Sequence, residues 1–119
     1  MALDKESTNI AYRLGRLFAV LEKAQKDAIP GVNTTIKDRY YGSASATPKV
    51  VFPLLLRLAQ HHIQKAEHGW HNDKLIEDIM CGIQEFPAHL SFDDQGFFAI
   101  GYYHQRQAFF TKTEKEKEV

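Results

Sequence analysis

The chain has 119 residues, enough for one domain with a modest core, and its composition is ordinary for a globular protein: 44% hydrophobic, 12% aromatic and 25% charged. No run of about 18 apolar residues predicts a membrane span, and the charged N-terminus does not resemble a secretion signal, so a cytoplasmic location is expected. Lys/Arg and Asp/Glu number 15 each, but residues 1–65 hold ten cations against five acids, and residues 66–111 hold two against seven. This asymmetry predicts a basic surface for an anionic partner.

Apolar residues recur at spacings of three and four over residues 10–28. This pattern predicts an amphipathic first helix, which Pro30-Gly31 ends. On that helix Arg16 and Lys23 lie opposite the apolar stripe and are predicted to face solvent, whereas Arg13 lies at the boundary of the stripe.

Residues 33–47 predict a short second helix that Asn33 or Thr34 caps and that Gly42 stops, followed by a loop of small residues. Thr47-Pro48 then predicts the cap and first position of a third helix.

A turn at residues 68–72 is expected to precede a fourth helix, which Phe86-Pro87 stops. Ser91 is expected to cap a last helix that reaches about residue 110. Glycines at 96 and 101 inside that helix suggest a close approach of another helix or a ligand.

These elements predict an all-α fold, a compact bundle of four to five helices with short loops, over residues 1–111. The charged residues 112–119 are predicted to be a disordered tail. Cys81 lies in an apolar run and is expected to be a buried thiol.

No catalytic or metal-binding residue is expected. Four of the six histidines lie within residues 61–71, but neither a cysteine pair nor a zinc-binding histidine spacing accompanies them, so no metal or other cofactor is predicted. Ser43, Ser45 and His104 lack the setting of a nucleophile and its base, and we expect no enzymatic activity.

Cations and aromatic residues alternate in residues 37–41. Cations attract phosphates and exposed aromatics stack on unpaired bases, but the tyrosines would equally well pack into the core. A second cluster at residues 101–107 has a similar composition, and Tyr103 is expected there to be a core residue. The candidate nucleic-acid-binding residues are Arg13, Arg16, Lys23, Lys37, Arg39, Tyr40, Tyr41 and Arg57.

Five segments carry a family resemblance: residues 11–18 (AYRLGRLF), 38–45 (DRYYGSAS), 52–53 (FP), 86–90 (FPAHL) and 95–106 (QGFFAIGYYHQR). Together they resemble the C-terminal helical region of the large subunit of type I-C CRISPR interference complexes (Cascade). In that family this region is also translated from an internal start as the small subunit of the complex. A chain that begins at Met1 is expected to be that product, and an engineered fragment is the alternative.

The resemblance implies a non-catalytic small subunit, present in more than one copy, that contacts the CRISPR backbone subunits and the large subunit. It would stabilise the guide RNA–target DNA R-loop, including its single-stranded DNA, through basic contacts that do not read sequence. The alternative is a protein-only scaffold that bridges backbone and large subunits without touching nucleic acid. A regulator of duplex DNA would require a helix-turn-helix signal, which is not evident.

Overall fold

The computed structural model describes residues 3–118, and the side chains of residues 3–110. It contains five helices, α1 (Ile10–Ala28), α2 (Ile36–Ala46), α3 (Pro48–Lys65), α4 (Gly69–Met80) and α5 (Phe92–Glu118), and no strand within the described residues. The predicted all-α bundle is confirmed. The predicted disordered tail, residues 112–119, lies outside the described side chains and stays a prediction.

Helix α1 is the central element of the bundle and contacts each of the other four helices. Asn9 caps it, and its side chain accepts a hydrogen bond from the Tyr12 N–H. Between Ala11 and Ala24 every residue is buried except Arg13 and Lys23. The prediction of a single apolar stripe was therefore too narrow, because neighbouring helices cover almost the whole circumference of α1.

Helices α1 and α5 cross in direct backbone contact. A Cβ atom at Gly15 would overlap the Phe98 carbonyl oxygen, and a Cβ at Gly101 would overlap the Tyr12 carbonyl oxygen. The close approach predicted for Gly101 is confirmed. Nothing lies within 4 Å of a Cβ built at Gly96, so the same prediction was wrong there.

Helix α2 begins and ends later than predicted. Thr35 is the N-cap, and it forms a capping box in which its own N–H donates to the Asp38 carboxylate at 2.9 Å. The helix continues through Gly42, because Ala44 and Ser45 are buried against the rest of the bundle. The predicted cap at residue 33 or 34 and the predicted stop at Gly42 were both wrong.

We predict that Thr35→Ala destabilises the fold by about 2–3 kcal/mol, because it removes both a helix cap and a donor to a buried carboxylate. The substitution removes the side-chain acceptor of the Lys37 N–H, at 3.2 Å, and the hydroxyl that donates to Glu22 Oε2 at 2.9 Å. Thr34→Ala changes an exposed neighbour and is the matched control, with an expected change below about 0.5 kcal/mol. Thermal unfolding followed by circular dichroism measures both, and a larger loss for Thr34→Ala would place the cap at Thr34 instead.

Helices α3 and α4 meet at a tight corner. Pro48 occupies the first position of α3 as predicted, and Pro53 lies exposed on the outer side of the same helix. Helix α4 begins at Gly69, within the predicted turn, and a Cβ there would overlap the Ile63 carbonyl oxygen. The predicted burial of Cys81 was wrong, since this residue is exposed just beyond the end of α4.

Candidate nucleic-acid interface

Arg13 lies at the boundary of the α1 core face, as predicted, but its guanidinium is used within the fold. Nη1 donates to the Ser7 carbonyl at 3.0 Å, and Nη2 donates to the Ile79 carbonyl at 3.0 Å. Ile79 belongs to the last turn of α4, where a cation complements the helix dipole. Gly82 leaves room for this arrangement, because a Cβ there would overlap the guanidinium. Arg13 therefore ties the N-terminal segment to α4.

Arg16 does not face solvent, which contradicts the prediction. The residue is only 4% exposed, and its Nε donates to Gln105 Oε1 of α5 at 3.1 Å. Burial lowers the pKa of its guanidinium, and the nearby charge of Arg13 lowers it further. The helical wheel placed Arg16 correctly relative to the main apolar stripe, but α5 covers the opposite side of α1. A phosphate cannot reach this guanidinium without displacing α5.

Lys23 is only partly exposed and is engaged with neighbouring helices. Its Nζ forms an ion pair with Asp27 Oδ2 at 2.6 Å and lies 5.4 Å from the centre of the Phe109 ring. The same Asp27 oxygen accepts a hydrogen bond from Asn72 Nδ2 of α4 at 2.8 Å. Lys23 therefore belongs to the junction of α1, α4 and α5.

Tyr41 is half-buried and packs against the core, as one of the two alternatives left open by the sequence expects. Its ring packs edge-on against Phe98 and Tyr102, each with centroids 5.4 Å apart, and against Phe18 at 5.6 Å. Burial raises the pKa of its hydroxyl. Tyr40 is also half-buried and packs against the core.

Lys37 lies at the edge of this aromatic cluster. Its Nζ is 5.4 Å from the centre of the Tyr102 ring and 6.0 Å from that of Tyr41. The residue is half-buried, so its stem packs while its charge stays near the surface. Lys37 is therefore available to an anionic partner that approaches α2 and α5 together.

Arg39 and Arg57 are exposed, and neither forms a hydrogen bond or ion pair with any residue whose side chain the structure describes. Arg39 lies on the outer face of α2 and Arg57 on that of α3. Between residues 36 and 65 the only acid is Asp38, whose carboxylate accepts the capping hydrogen bond from Thr35. We call the exposed cations of this region the α2–α3 basic surface; they are Arg39, Lys49, Arg57 and Lys65.

Helix α4 carries the opposite charge. Its exposed face and the turn before it present acids at residues 67, 73, 77 and 78, around an exposed Trp70. The charge asymmetry of the sequence therefore persists as two differently charged surfaces in the folded chain.

Helix α5 supplies surface residues that the sequence analysis missed. Tyr103 is 54% exposed, which contradicts the expectation that it lies in the core; its neighbour Tyr102 takes that place and is fully buried. The Arg106 guanidinium carbon lies 6.0 Å from the centre of the exposed Phe110 ring. The Tyr102-Tyr103 doublet was the available signal, because adjacent residues of a helix point about 100° apart and a helix at the surface rarely buries both.

The serine and histidine side chains that the sequence analysis considered form hydrogen bonds within the fold. Ser43 and Ser45 donate to carbonyls of their own helix at 3.2 and 3.0 Å, and His104 Nδ1 is hydrogen bonded to the Tyr12 hydroxyl at 2.7 Å. Within residues 3–110 no three His, Cys, Asp or Glu side chains are grouped to hold a metal ion. The helices in the described part of the chain also include none that is long and apolar enough to cross a membrane.

The fold defines a small helical bundle protein whose second and third helices expose mainly basic charges. Residues 1–110 match the family model described as CRISPR-associated protein (Cas_Csd1), and the chain belongs to that family. Membership indicates a component of a CRISPR-associated Cascade complex. No curated protein matches the sequence.

Proposed function

We propose that this chain is the non-catalytic small subunit of a type I-C CRISPR interference complex, and that it stabilises the guide RNA–target DNA R-loop. The α2–α3 basic surface carries this proposal. Its cations are exposed and uncompensated, as contacts to a sugar–phosphate backbone require, and guide pairing would supply the sequence specificity. Lys37 extends the basic surface toward α5. Arg13 and Arg16, which the sequence also suggested, are left out of this proposal because their guanidinium groups form hydrogen bonds within the fold.

The test is R-loop formation by the reconstituted complex, measured with and without this chain over a range of salt concentrations. Omission is expected to leave the complex assembled, to weaken the R-loop most strongly at low salt, where phosphate contacts contribute most, and to make the remaining binding less dependent on salt. The double variant Arg39→Glu, Arg57→Glu is expected to weaken R-loop binding about tenfold and to reduce its log–log salt slope by about 1.5. Lys74→Glu reverses an exposed charge on acidic α4 and is the matched control, with no expected change.

An R-loop that is indifferent to the chain would refute the proposed function. A salt slope unchanged in the double variant would remove the α2–α3 basic surface from the interface.

A scaffold role without nucleic-acid contact has one observation in its favour. The first half of α5 exposes apolar side chains at Phe92, Phe97 and Ile100, which are suited to contact another subunit. If scaffolding is the whole function, the double variant is expected to impair assembly while complexes that do assemble bind DNA normally.

A further inference from the structure

The second half of α5 presents aromatic rings and a cation on one exposed strip. Tyr103 is 54% exposed and Phe110 is 60% exposed, and Arg106 lies between them in sequence at a helical spacing that makes all three neighbours. The two rings are seven residues apart, which separates them by about 10 Å along the helix axis. We call Tyr103, Arg106 and Phe110 the α5 strip.

The Tyr103 ring contacts a buried neighbouring side chain. It packs edge-on against Tyr102, with centroids 5.5 Å apart. Tyr102 is itself fully buried, and its hydroxyl donates to Glu22 Oε1 at 2.5 Å. A ring supported in this way loses little conformational entropy when a ligand stacks on it.

Two cations lie close to Tyr102, the buried neighbour of Tyr103. Lys37 Nζ lies over the Tyr102 ring at 5.4 Å, and Arg106 is close enough to Tyr102 to lower the pKa of its hydroxyl against the stronger effect of burial. Among the α5 residues whose side chains the structure describes, the acids Asp93 and Asp94 lie in the first turn, more than two helical turns from Tyr103.

The exposed Trp70 of α4 offers a comparison. Its ring is 60% exposed, but acids at residues 67 and 73 lie within one turn of it. Exposed Lys74 lies one turn after Trp70 on the same helix, so the charge around Trp70 is mixed.

We infer that the α5 strip is a stacking platform for the unpaired bases of a single-stranded nucleic acid. One base stacks on Tyr103 and another on Phe110, while Arg106 and Lys37 contact the intervening backbone. This inference rests on the proposed function and adds to it a contact made to bases rather than to phosphates alone. Stacking of this kind accepts any base, because every base has a π face.

The test compares two ligands of equal length, a fluorescent oligothymidylate and an abasic oligonucleotide with the same backbone. Binding to the full chain is measured by fluorescence anisotropy. Tyr103→Ala is expected to weaken oligothymidylate binding about fivefold to 100-fold and to leave abasic binding unchanged. Tyr103→Phe keeps the ring and should bind like the unmodified chain, and Trp70→Ala, the matched aromatic control, should change neither ligand.

Three outcomes would overturn the inference: equal weakening of both ligands by Tyr103→Ala, no weakening of either, or no binding of oligothymidylate by the unmodified chain. If Tyr103→Ala disrupts assembly of the complex but not oligothymidylate binding, the strip holds a protein partner instead. The proposed function is tested separately by R-loop formation. That process can depend on the chain, and on Arg39 and Arg57, whether or not Tyr103→Ala affects the two ligands differently.

Discussion

Gly101→Ala is expected to destabilise the bundle by about 3 kcal/mol, at the upper end of the usual cost of overpacking a core. The added methyl group would overlap the Tyr12 carbonyl oxygen and lie 2.9 Å from the carbonyl carbon. Both are backbone atoms of α1, the helix that contacts all the others, so no side chain can rotate to make room. Chemical denaturation followed by circular dichroism measures the loss.

Gly96→Ala is the matched control for this prediction, because it adds the same methyl group to the same helix where nothing lies within 4 Å. Alanine is the better helix former, and this variant is expected to gain up to about 1 kcal/mol. Gly15→Ala should resemble Gly101→Ala, because its Cβ would overlap the Phe98 carbonyl oxygen. If Gly96→Ala and Gly101→Ala changed stability alike, the close contact of α1 and α5 would be refuted.

Helix type and order could be predicted from the sequence, because apolar spacing and proline positions are local signals. Helix ends were less predictable. Gly42 would stop an isolated helix, but burial of Ala44 and Ser45 offsets its propensity. The cap at Thr35 depends partly on Glu22 of α1, which accepts the Thr35 hydroxyl and which no local pattern reveals.

The candidate interface was predictable only where a residue's own helix determines its exposure. Arg39 and Arg57 are exposed as their patterns indicate. Arg16 was assigned to solvent because a helical wheel describes one helix alone, and α5 covers that side of α1. Tyr103 was assigned to the core because its helix contains two adjacent tyrosines. Only the packing of the bundle determines which of the two points inward.

The error at Arg16 originates in the central position of α1. A helix surrounded on all sides must bury its polar residues as well, and Arg16 and Glu22 are buried with partners from α5 and the start of α2. Charge reversal at Arg16 would therefore report on stability rather than on nucleic-acid binding.

The buried carboxylate of Glu22 depends on two hydroxyl donors. Tyr102 of α5 donates to Oε1 at 2.5 Å, and Thr35, the cap of α2, donates to Oε2 at 2.9 Å. The carboxylate thereby joins three helices at one point. Burying a charge without such partners costs far more than the hydrogen bonds contribute, so removal of either donor leaves an unfavourable residue in the core.

Tyr102→Phe is expected to cost about 2–3 kcal/mol of stability at neutral pH, since it preserves the ring and removes only the donor to a buried charge. The loss should depend on pH. Burial, followed by the hydrogen bond to Glu22, raises the pKa of the Tyr102 hydroxyl above its ordinary value of 10.0. Above pH 10 this tyrosine ionises in the unfolded chain while it stays neutral in the folded chain, so the unmodified protein loses stability as the pH rises.

The phenylalanine variant lacks this titration, and the difference in stability between the two proteins is therefore expected to narrow above pH 10. Tyr103→Phe removes an exposed hydroxyl from the next residue and is the matched control, with little expected change at any pH. Denaturant unfolding at neutral pH and at several values above 10 supplies the comparison. If the difference in the free energy of unfolding between Tyr102→Phe and the unmodified chain stayed constant across this range, Tyr102 would ionise equally in the folded and unfolded chain. The hydrogen bond between the Tyr102 hydroxyl and the Glu22 carboxylate would then not contribute to holding α5 against α1.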